Sequence, residues 1–290
     1  MLPLKWKQYQ KIEDFYHENI AILLQEEAVN NLMIGNINEV LSVKNIENWI
    51  LARIENDEKQ VEAIFLYRPP YKLLCYCPVF QTNKEFYDYA AKCLYRINQN
   101  LIGVNTDIRV GNLLADSYVA LSHQKKQTEV KMRILVVHNL ENIPLKQALF
   151  REAQIKDRQT IIENMINFHK EVSGEIRNRE SCEREFDNCM KTGIYVLEKE
   201  GKIVSQAFLK RKLIYGKNIS GVYTPKEERG KGYAKTCVYL LSKKCLEEGA
   251  RYCVLYADDS NPISNHVYEE IGYKRISTKK QLIFCHENVI

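Results

Sequence analysis

The segment Ile219-Ser-Gly-Val-Tyr-Thr-Pro-Lys-Glu-Glu-Arg-Gly-Lys-Gly-Tyr-Ala234 decides how the second half of the chain folds. Residues 219–224 are typical of a strand, and the apolar stripe of residues 232–248 predicts a helix. Gly230 and Gly232 allow the backbone at the helix start to approach a ligand without a Cβ in the way. A helix start has about four unpaired N–H groups and roughly half a positive charge. With the cationic side chains of Arg229 and Lys231 beside these glycines, the segment is predicted to bind a diphosphate.

A second informative segment follows the continuous apolar run 252–257, which is typical of a strand buried on both faces. Asn261 is predicted to cap a helix over 262–271, because Pro262 then occupies the first helical position. At 100° per residue, one polar face carries Asn261, Ser264, Asn265 and Tyr268. The opposite residues, Ile263 and Val267, are predicted to point into the core. Polar groups that follow a buried strand indicate a site at the carboxyl ends of parallel strands. The alternative to a ligand site at 225–234 is an ordinary basic turn that leads into a surface helix. The alternative for the polar face of 261–268 is a solvated helix face.

The order of the other elements predicts an α/β fold with a mixed sheet. Residues 157–172 and 179–192 are predicted helices, and three strand-like runs lead to the loop at 225–234. The order strand, helix, strand, helix around the last sheet implies a right-handed parallel crossover. In the first half, a helical stretch (9–38) precedes three strand-like runs, a helix at 84–98, a shorter helix near 113–121 and a strand near 131–138. The polar segment 139–144 suggests a boundary, which gives predicted domains 1–143 and 144–290.

Length and composition indicate an ordinary globular protein of about two domains. The chain has 290 residues, of which 45% are hydrophobic and 27% charged. No apolar run reaches the 18 or so residues of a membrane-spanning helix, and the N-terminus has no signal-peptide pattern. We therefore expect a cytosolic protein without a membrane partner. The nine cysteines are scattered without CxxC spacing and no HxxxH pair is present, so no metal site is expected.

The two halves differ in charge. Residues 1–143 hold 16 Lys and Arg against 17 Asp and Glu, whereas residues 144–290 hold 26 against 20. A basic half is compatible with nucleic acid or with a phosphorylated small molecule. The cations are interleaved with glutamates and no nucleic-acid motif is present, so a phosphorylated ligand is the better interpretation and no nucleic-acid partner is expected.

The motif Arg229-x-x-Gly232-x-Ala234, followed by Asn261-Pro-x-Ser264-Asn265-x-x-Tyr268-x-x-x-Gly272-Tyr273, resembles the GNAT superfamily of acyl-CoA-dependent N-acetyltransferases. The resemblance covers about residues 148–285 and is closest to a bacterial branch with two domains. It implies a GNAT-like fold and assigns the CoA pyrophosphate to Arg229, Gly230, Lys231, Gly232, Tyr233 and Ala234.

The same resemblance implies roles for residues outside the loop. The strand residues that it pairs with the pantetheine arm are Val222, Tyr223 and Thr224. Asn261 is a cofactor contact, with Ser264 and Asn265 on the same helix face. Tyr268 is the implied general acid that protonates the leaving thiolate.

The first half departs from this pattern. Its element order loosely echoes the second half, which suggests two tandem GNAT-like domains. However, the corresponding loop, residues 78–84, contains neither glycine nor arginine. We therefore predict a degenerate N-terminal domain without a CoA site, which either shapes the acceptor cleft or only stabilises the chain.

The expected function is transfer of acetyl from acetyl-CoA to a primary amine by direct attack. The attacking amine must be neutral, and Glu171 or Glu175 is a possible base because both follow the helix expected to flank the acceptor. The sequence does not distinguish a small-molecule amine acceptor from a peptide or protein amine. The protein is expected to be a monomer or homodimer. The alternative is a non-catalytic acyl-CoA sensor.

Overall fold

The computed structural model describes residues 3–43, 46–173 and 177–286. These residues form two compact units. The first contains the chain up to Ile134, together with Asp258–Ser260 and the segment that begins at Ile276. The second contains Leu135–Ala257 and Asn261–Arg275. No helix in the described ranges has the length and apolarity needed to cross a membrane.

The first unit is mixed α/β, with strand order β1-β2-β3-β4-β5-β12. Strands β4 and β5 are parallel, whereas the pairs β1–β2, β2–β3, β3–β4 and β5–β12 are antiparallel. Its elements are β1 (Lys5–Gln8), α1 (Ile12–Gln25), α2 (Glu27–Val43), β2 (Ile50–Glu55), β3 (Val61–Tyr67), β4 (Leu73–Tyr76), α3 (Lys84–Ile97), β5 (Gly103–Asp107), α4 (Ile108–Ser122), most of β6 (Lys125–Val137) and most of β12 (Lys274–Cys285).

The second unit is also mixed α/β, with strand order β11-β10-β9-β8-β7. Its elements are β7 (Leu149–Glu152), α5 (Arg158–Ser173), α6 (Arg179–Met190), β8 (Ile194–Lys199), β9 (Lys202–Lys212), β10 (Gly216–Tyr223), α7 (Tyr233–Glu247), β11 (Tyr252–Asp258) and α8 (Pro262–Ile271). The predicted α/β class with mixed sheets is therefore confirmed.

The two halves of the chain have the same order of elements. Two helices, three strands, a helix, a strand, a helix and a final strand occur first from α1 to β6 and again from α5 to β12. The similarity in element order predicted for the two halves is thus confirmed. The single helix expected at 9–38 is two helices, α1 and α2, which are separated at Glu26.

The compact units divide the chain differently from the predicted boundary at 143/144. Residues from Leu135 lie in the second unit, whereas the segment from Ile276 lies in the first. The reason is the pairing of the last strand: β12 runs antiparallel to β5, with Gln281 opposite Asn105. A hydrogen-bonded strand belongs to the sheet that it completes, regardless of its position in the sequence.

The sheet of the second unit is covered by helices on both faces. Successive residues of β8 alternate between two cores: Ile194 and Val196 pack with α5 and α6, whereas Tyr195 and Leu197 pack with α7 and α8. This is the two-residue side-chain period of a strand. The core beneath α7 includes Cys237, Val238 and Leu241, the apolar stripe seen in the sequence.

The parallel pair β10–β11 separates partway along its length. Pairing runs from Gly216 opposite Tyr252 to Asn218 opposite Val254, but β10 continues to Tyr223 and β11 to Asp258. At the point of separation, the buried side-chain amide of Asn218 donates to the carbonyl of Val254 at 3.3 Å. The backbone of β10 beyond this point has left its parallel neighbour, as a strand must if a ligand is to lie along it.

A bulge in β10 follows at Gly221. The β9–β10 register shifts between Ser220 and Tyr223, and Gly221 has φ of 59°. A Cβ at this position would lie 2.4 Å from the Phe208 ring, so no other residue fits without displacing that ring. The bulge changes the direction of the strand just before the loop predicted to bind phosphate.

Candidate functional site

Helix α7 begins without a side-chain cap. Its N-cap residue, Gly232, has φ of 84° and, as a glycine, has no side chain that could accept a hydrogen bond from the first turn. Gly230 also has a positive φ of 74°. In the corresponding position of the first unit, Asn83 caps α3 by accepting from the backbone N–H of Glu85. The first-turn N–H groups of α7 are therefore free to bind an anion in a way that those of α3 are not.

In the loop before α7 (residues 224–232, called the α7 loop below), the side chains of Arg229 and Lys231 are engaged within the protein. The Arg229 guanidinium donates to the Glu171 carboxylate at 2.8 Å and, through Nε, to the Thr224 carbonyl at 2.9 Å. The Lys231 ammonium lies 2.9 Å from the Glu228 carboxylate. These contacts brace the loop against α5 and against itself. The groups that the loop leaves open toward a phosphate are chiefly backbone amides.

The ring of Tyr233 also faces the protein interior. Its side chain is buried in the core beneath α7, and its hydroxyl accepts from the Lys199 ammonium at 3.2 Å. Its predicted phosphate role therefore falls to its backbone N–H, which, as that of a first helical residue, has no partner within the helix. Ala234 follows in the first turn of α7.

The predicted pantetheine strand residues lie at the end of β10. The carbonyl of Tyr223 accepts from the Ser205 hydroxyl at 3.3 Å, and the Thr224 carbonyl accepts from Arg229. Val222 lies within the bulge, between the shifted register positions. A carbonyl oxygen has two lone pairs, so these contacts leave acceptor capacity. Pairing of these residues with pantetheine stays a prediction.

Glu171, one of the two predicted bases, contacts two residues of the predicted cofactor site. Its carboxylate pairs with Arg229 and accepts from the Tyr223 hydroxyl at 3.4 Å. Burial and the adjacent carboxylate raise the pKa of Tyr223, so this hydroxyl is protonated and can donate. The other predicted base, Glu175, lies outside the described residues.

Helix α8 has the predicted cap. The Asn261 side chain accepts from the backbone N–H of Ser264 at 3.0 Å, and the Ser264 hydroxyl donates back to the Asn261 carbonyl at 3.3 Å. Both residues lie at the exposed helix start, whereas Asn265 and Tyr268 are buried. Burial raises the pKa of Tyr268 to about 12, which keeps its hydroxyl protonated at neutral pH.

One prediction for α8 was wrong. Ile263 is 78% exposed, whereas the buried residues of this helix are Asn265, Tyr268 and Ile271. These three are spaced at intervals of three, so the inner part of the predicted polar face is the side turned to the core. Val267 packs at the edge of that core. The position of Ile263 near the start of α8 was therefore a wrong guide to the face of this helix that is buried.

The comparison with known families agrees with this geometry. Residues 162–273, which include most of α5 together with β10, the α7 loop and α8, match the family described as Acetyltransferase (GNAT) family. This part of the chain is a GNAT-family domain. No curated protein sequence matches the chain.

Solved structures similar to the whole chain extend the likeness in fold beyond the GNAT domain. A GCN5-related N-acetyltransferase from Sphaerobacter thermophilus has a TM-score of 0.66 at 14% identity and covers 100% of this chain and 98% of its own. A GNAT-family acetyltransferase from Colwellia psychrerythraea has a TM-score of 0.57 at 13% identity, with 97% and 99% covered. A Drosophila protein has a TM-score of 0.67 at 9% identity, with 98% and 99% covered. At these identities the likeness shows the fold alone.

The GNAT domain and the residues just before it line an open cavity beside the α7 loop. Its volume is about 930 Å³, and its walls come from α5, the β8–β9 turn and the segment after β10. Tyr223 and Glu171 lie in its wall. The other charged lining residues carry both signs, among them Lys170, Lys202 and Glu227. The cavity is thus polar and large enough for part of a nucleotide-sized ligand or a polar acceptor.

The sequence interpretation missed a charged cluster in the GNAT domain. Glu185 of α6 accepts from His169 of α5, from Arg177, and from Lys210 of β9. Burial raises the pKa of Glu185, but the His169 hydrogen bond and the Lys210 charge outweigh it and hold the pKa at about 2. The cluster joins residues from three elements, and no spacing in the sequence predicts such a meeting.

Proposed function

We propose that the GNAT domain transfers acetyl from acetyl-CoA to a primary amine. The observation that carries the proposal is the open start of α7, with two left-handed glycines, inside the segment matched to the acetyltransferase family. Backbone N–H groups at a helix start suit a pyrophosphate, because they supply hydrogen-bond donors and a partial positive charge, and no charged side chain has to be removed from water. The residues present therefore fit CoA.

CoA would be held mainly by backbone groups of α7 and β10, and side chains would support the loop between them. The first turn of α7 supplies amides to the pyrophosphate, and Arg229 shapes the loop through Thr224 and Glu171 rather than by offering a free guanidinium. The end of β10, which has separated from β11, supplies backbone groups to the pantetheine arm. Bound acetyl-CoA supplies an activated thioester whose thiol, with a pKa of about 8.5, leaves readily.

Protons must move at two atoms during the transfer. The acceptor must be a neutral amine, although an alkylammonium has a pKa of about 10.4, and the departing sulfur must be stabilised. Tyr268 is proposed to donate a hydrogen bond to that sulfur. Holding amine and thioester side by side supplies a large further part of the acceleration.

The test is release of free thiol from acetyl-CoA with a panel of primary amines: alkylamines, aralkylamines, amino acids, an aminoglycoside and a lysine-containing peptide. We expect release that requires both acetyl-CoA and one class of amine, with the acetylated amine identified by mass spectrometry. Protection by acetyl-CoA in a thermal melt, without thiol release from any amine, would contradict catalysis and support the acyl-CoA sensor. The panel also identifies the acceptor class.

A substitution at Glu171 tests its predicted role as base. We expect Glu171→Gln to retain turnover within a few-fold, because a glutamine oxygen can still accept from Arg229 and the contact with Tyr223 can persist. A general base contributes about 100-fold or more, so a loss of that size with unchanged acetyl-CoA affinity would assign the base to Glu171. Glu163→Gln, at another carboxylate on α5, is the matched control. Turnover is measured with the best amine of the panel.

A further inference from the structure

We propose that the small cavity beside the bulge of β10 holds the acyl group of the donor, and that Met165 limits this group to acetyl or propionyl. This inference rests on the proposed acetyl transfer and extends it to the range of acyl-CoA donors. The cavity lies where α5 and β9 meet the bulge, and its volume is about 40 Å³. A water molecule needs about 10–15 Å³ of cavity volume, so the cavity has room for about three non-hydrogen atoms, as many as an acetyl group contains.

The expected position of the acyl group follows from the direction of β10. The α7 loop comes after this strand, and Val222–Thr224, the proposed pantetheine contacts, precede most of the loop. A ligand that runs from the loop back along the strand therefore reaches Gly221 and then Ser220. Both of these residues line the cavity. The acyl end of the proposed donor would thus lie against the cavity.

The ring of Phe208 closes the cavity on the side of β9. Phe208 is only 2% exposed and belongs to the core that β8 and β9 form with α5 and α6. A Cβ at Gly221 would lie 2.4 Å from this ring, so the ring lies directly against the backbone of the bulge. An acyl chain cannot extend toward β9 without displacing Phe208.

Met165 closes the cavity on the side of α5. Its side chain is 2% exposed and packs in the same core as Phe208. Protein interiors are close-packed, and additional methylene groups force the neighbouring side chains out of their preferred positions. The Cγ, Sδ and Cε atoms of Met165 therefore occupy the space that the further carbons of a longer acyl chain would need.

The third wall is charged and does not suit an alkyl chain. Glu185 and Lys210 line the cavity and form an ion pair at 2.5 Å, and Arg177 contacts the same carboxylate at 3.1 Å. Alkyl carbons against this cluster would replace water around charged groups, which is unfavourable. A long acyl chain therefore has no favourable direction of extension toward these three walls.

The principal test is the dependence of kcat/KM on acyl length in the wild-type protein. Thiol release is measured with acetyl-, propionyl-, butyryl- and hexanoyl-CoA and the best amine of the panel. We expect propionyl-CoA to react within a few-fold of acetyl-CoA. Butyryl-CoA and hexanoyl-CoA should react at least about 10-fold more slowly, because one methylene group too many in an apolar pocket has an effect of this size.

The outcomes of this test separate the two proposals. Equal kcat/KM values for acetyl-CoA and hexanoyl-CoA overturn the inference about the cavity and leave the proposed acetyl transfer intact. If the wild-type protein releases thiol from none of the donors with any amine, the proposed function fails and this inference fails with it.

Met165→Ala tests whether this residue sets the limit. The variant should raise the ratio of kcat/KM for butyryl-CoA to that for acetyl-CoA by about 10-fold or more. A ratio within one variant does not depend on the fraction of folded protein, so lost stability does not change it. Met190→Ala is the matched control, because Met190 packs against the same core away from the cavity. An unchanged ratio in Met165→Ala, or the same rise in Met190→Ala, contradicts the role of Met165.

Ser220→Val tests the cavity from the opposite side if Met165→Ala does not fold. Ser220 is a half-buried residue of β10 that lines the cavity, and a β-branched side chain is well suited to a strand. The larger side chain should reduce the space for the acyl group and lower the ratio of kcat/KM for propionyl-CoA to that for acetyl-CoA by about 10-fold. A ratio equal to that of the wild type would show that the acyl group lies elsewhere.

Discussion

Replacing Gly232 by glutamate is expected to abolish acetyl-CoA binding. The new carboxylate would lie at the open start of α7, where the pyrophosphate is proposed to bind. Two like charges about 4 Å apart repel by about 4 kcal/mol at an effective dielectric constant of about 20. We therefore expect at least about 100-fold weaker binding, measured as loss of the acetyl-CoA shift in a thermal melt and by titration calorimetry.

The backbone conformation of Gly232 requires a matched control. Its φ of 84° is left-handed, so any side chain adds about 1–2 kcal/mol of strain. Gly249→Glu introduces the same residue at φ of 94°, in open space beyond the other end of α7. It should lose comparable stability but retain acetyl-CoA protection. Gly232→Ala separates strain from charge, because the atom nearest to its Cβ, at 3.1 Å, would belong to the flexible side chain of Lys146. Retained protection in Gly232→Glu would refute the phosphate site.

Replacing Tyr268 by phenylalanine is expected to lower kcat by about 100-fold, the cost of removing one hydrogen-bond donor to developing charge, and to leave acetyl-CoA affinity nearly unchanged. Tyr268 is only 8% exposed, and burial raises its pKa to about 12. Full proton transfer to a thiolate, whose thiol has a pKa of about 8.5, would therefore be uphill. Its hydroxyl should act by donating a hydrogen bond to the developing thiolate. The measurement is kcat at saturating acetyl-CoA, with binding measured separately.

The neighbouring tyrosine offers an internal control. The Tyr273 ring centroid is 6.0 Å from that of Tyr268, and its hydroxyl shares a buried 2.7 Å hydrogen bond with Ser242. Tyr273→Phe should therefore lose about 1 kcal/mol of stability and keep its turnover. Tyr268→Phe should show the opposite pattern. Equal turnover in Tyr268→Phe and wild type would remove the tyrosine from the mechanism.

Local sequence signals were sufficient to predict the secondary structure of the two segments that carry the family motif. The strand before residue 225, the two glycines with positive φ and the Asn261–Pro262 helix start each depend on neighbouring residues. The backbone preferences of glycine, proline and asparagine are local properties, so they can be read from the chain itself. The repeated element order of the two halves was visible for the same reason.

The side of α8 that faces the core was not predictable in this way. Ile263 is exposed although it is apolar, and Asn265 is buried although it is polar. The hydrophobic pattern of a ten-residue helix contains too few residues to fix its rotation. Packing of Tyr268 and Ile271 against the core beneath α7 decides it.

The sequence by itself determined the fold class, the repeated architecture and the segment proposed to bind phosphate, because these follow from short-range preferences and periodicity. Only the tertiary structure decided that Arg229 pairs with Glu171, that His169 meets Glu185 and Lys210, and that β12 completes the sheet beside β5. These contacts join residues far apart in the sequence. Long-range pairing of charges and strands is specified by the packing of the whole unit, and no local pattern encodes it.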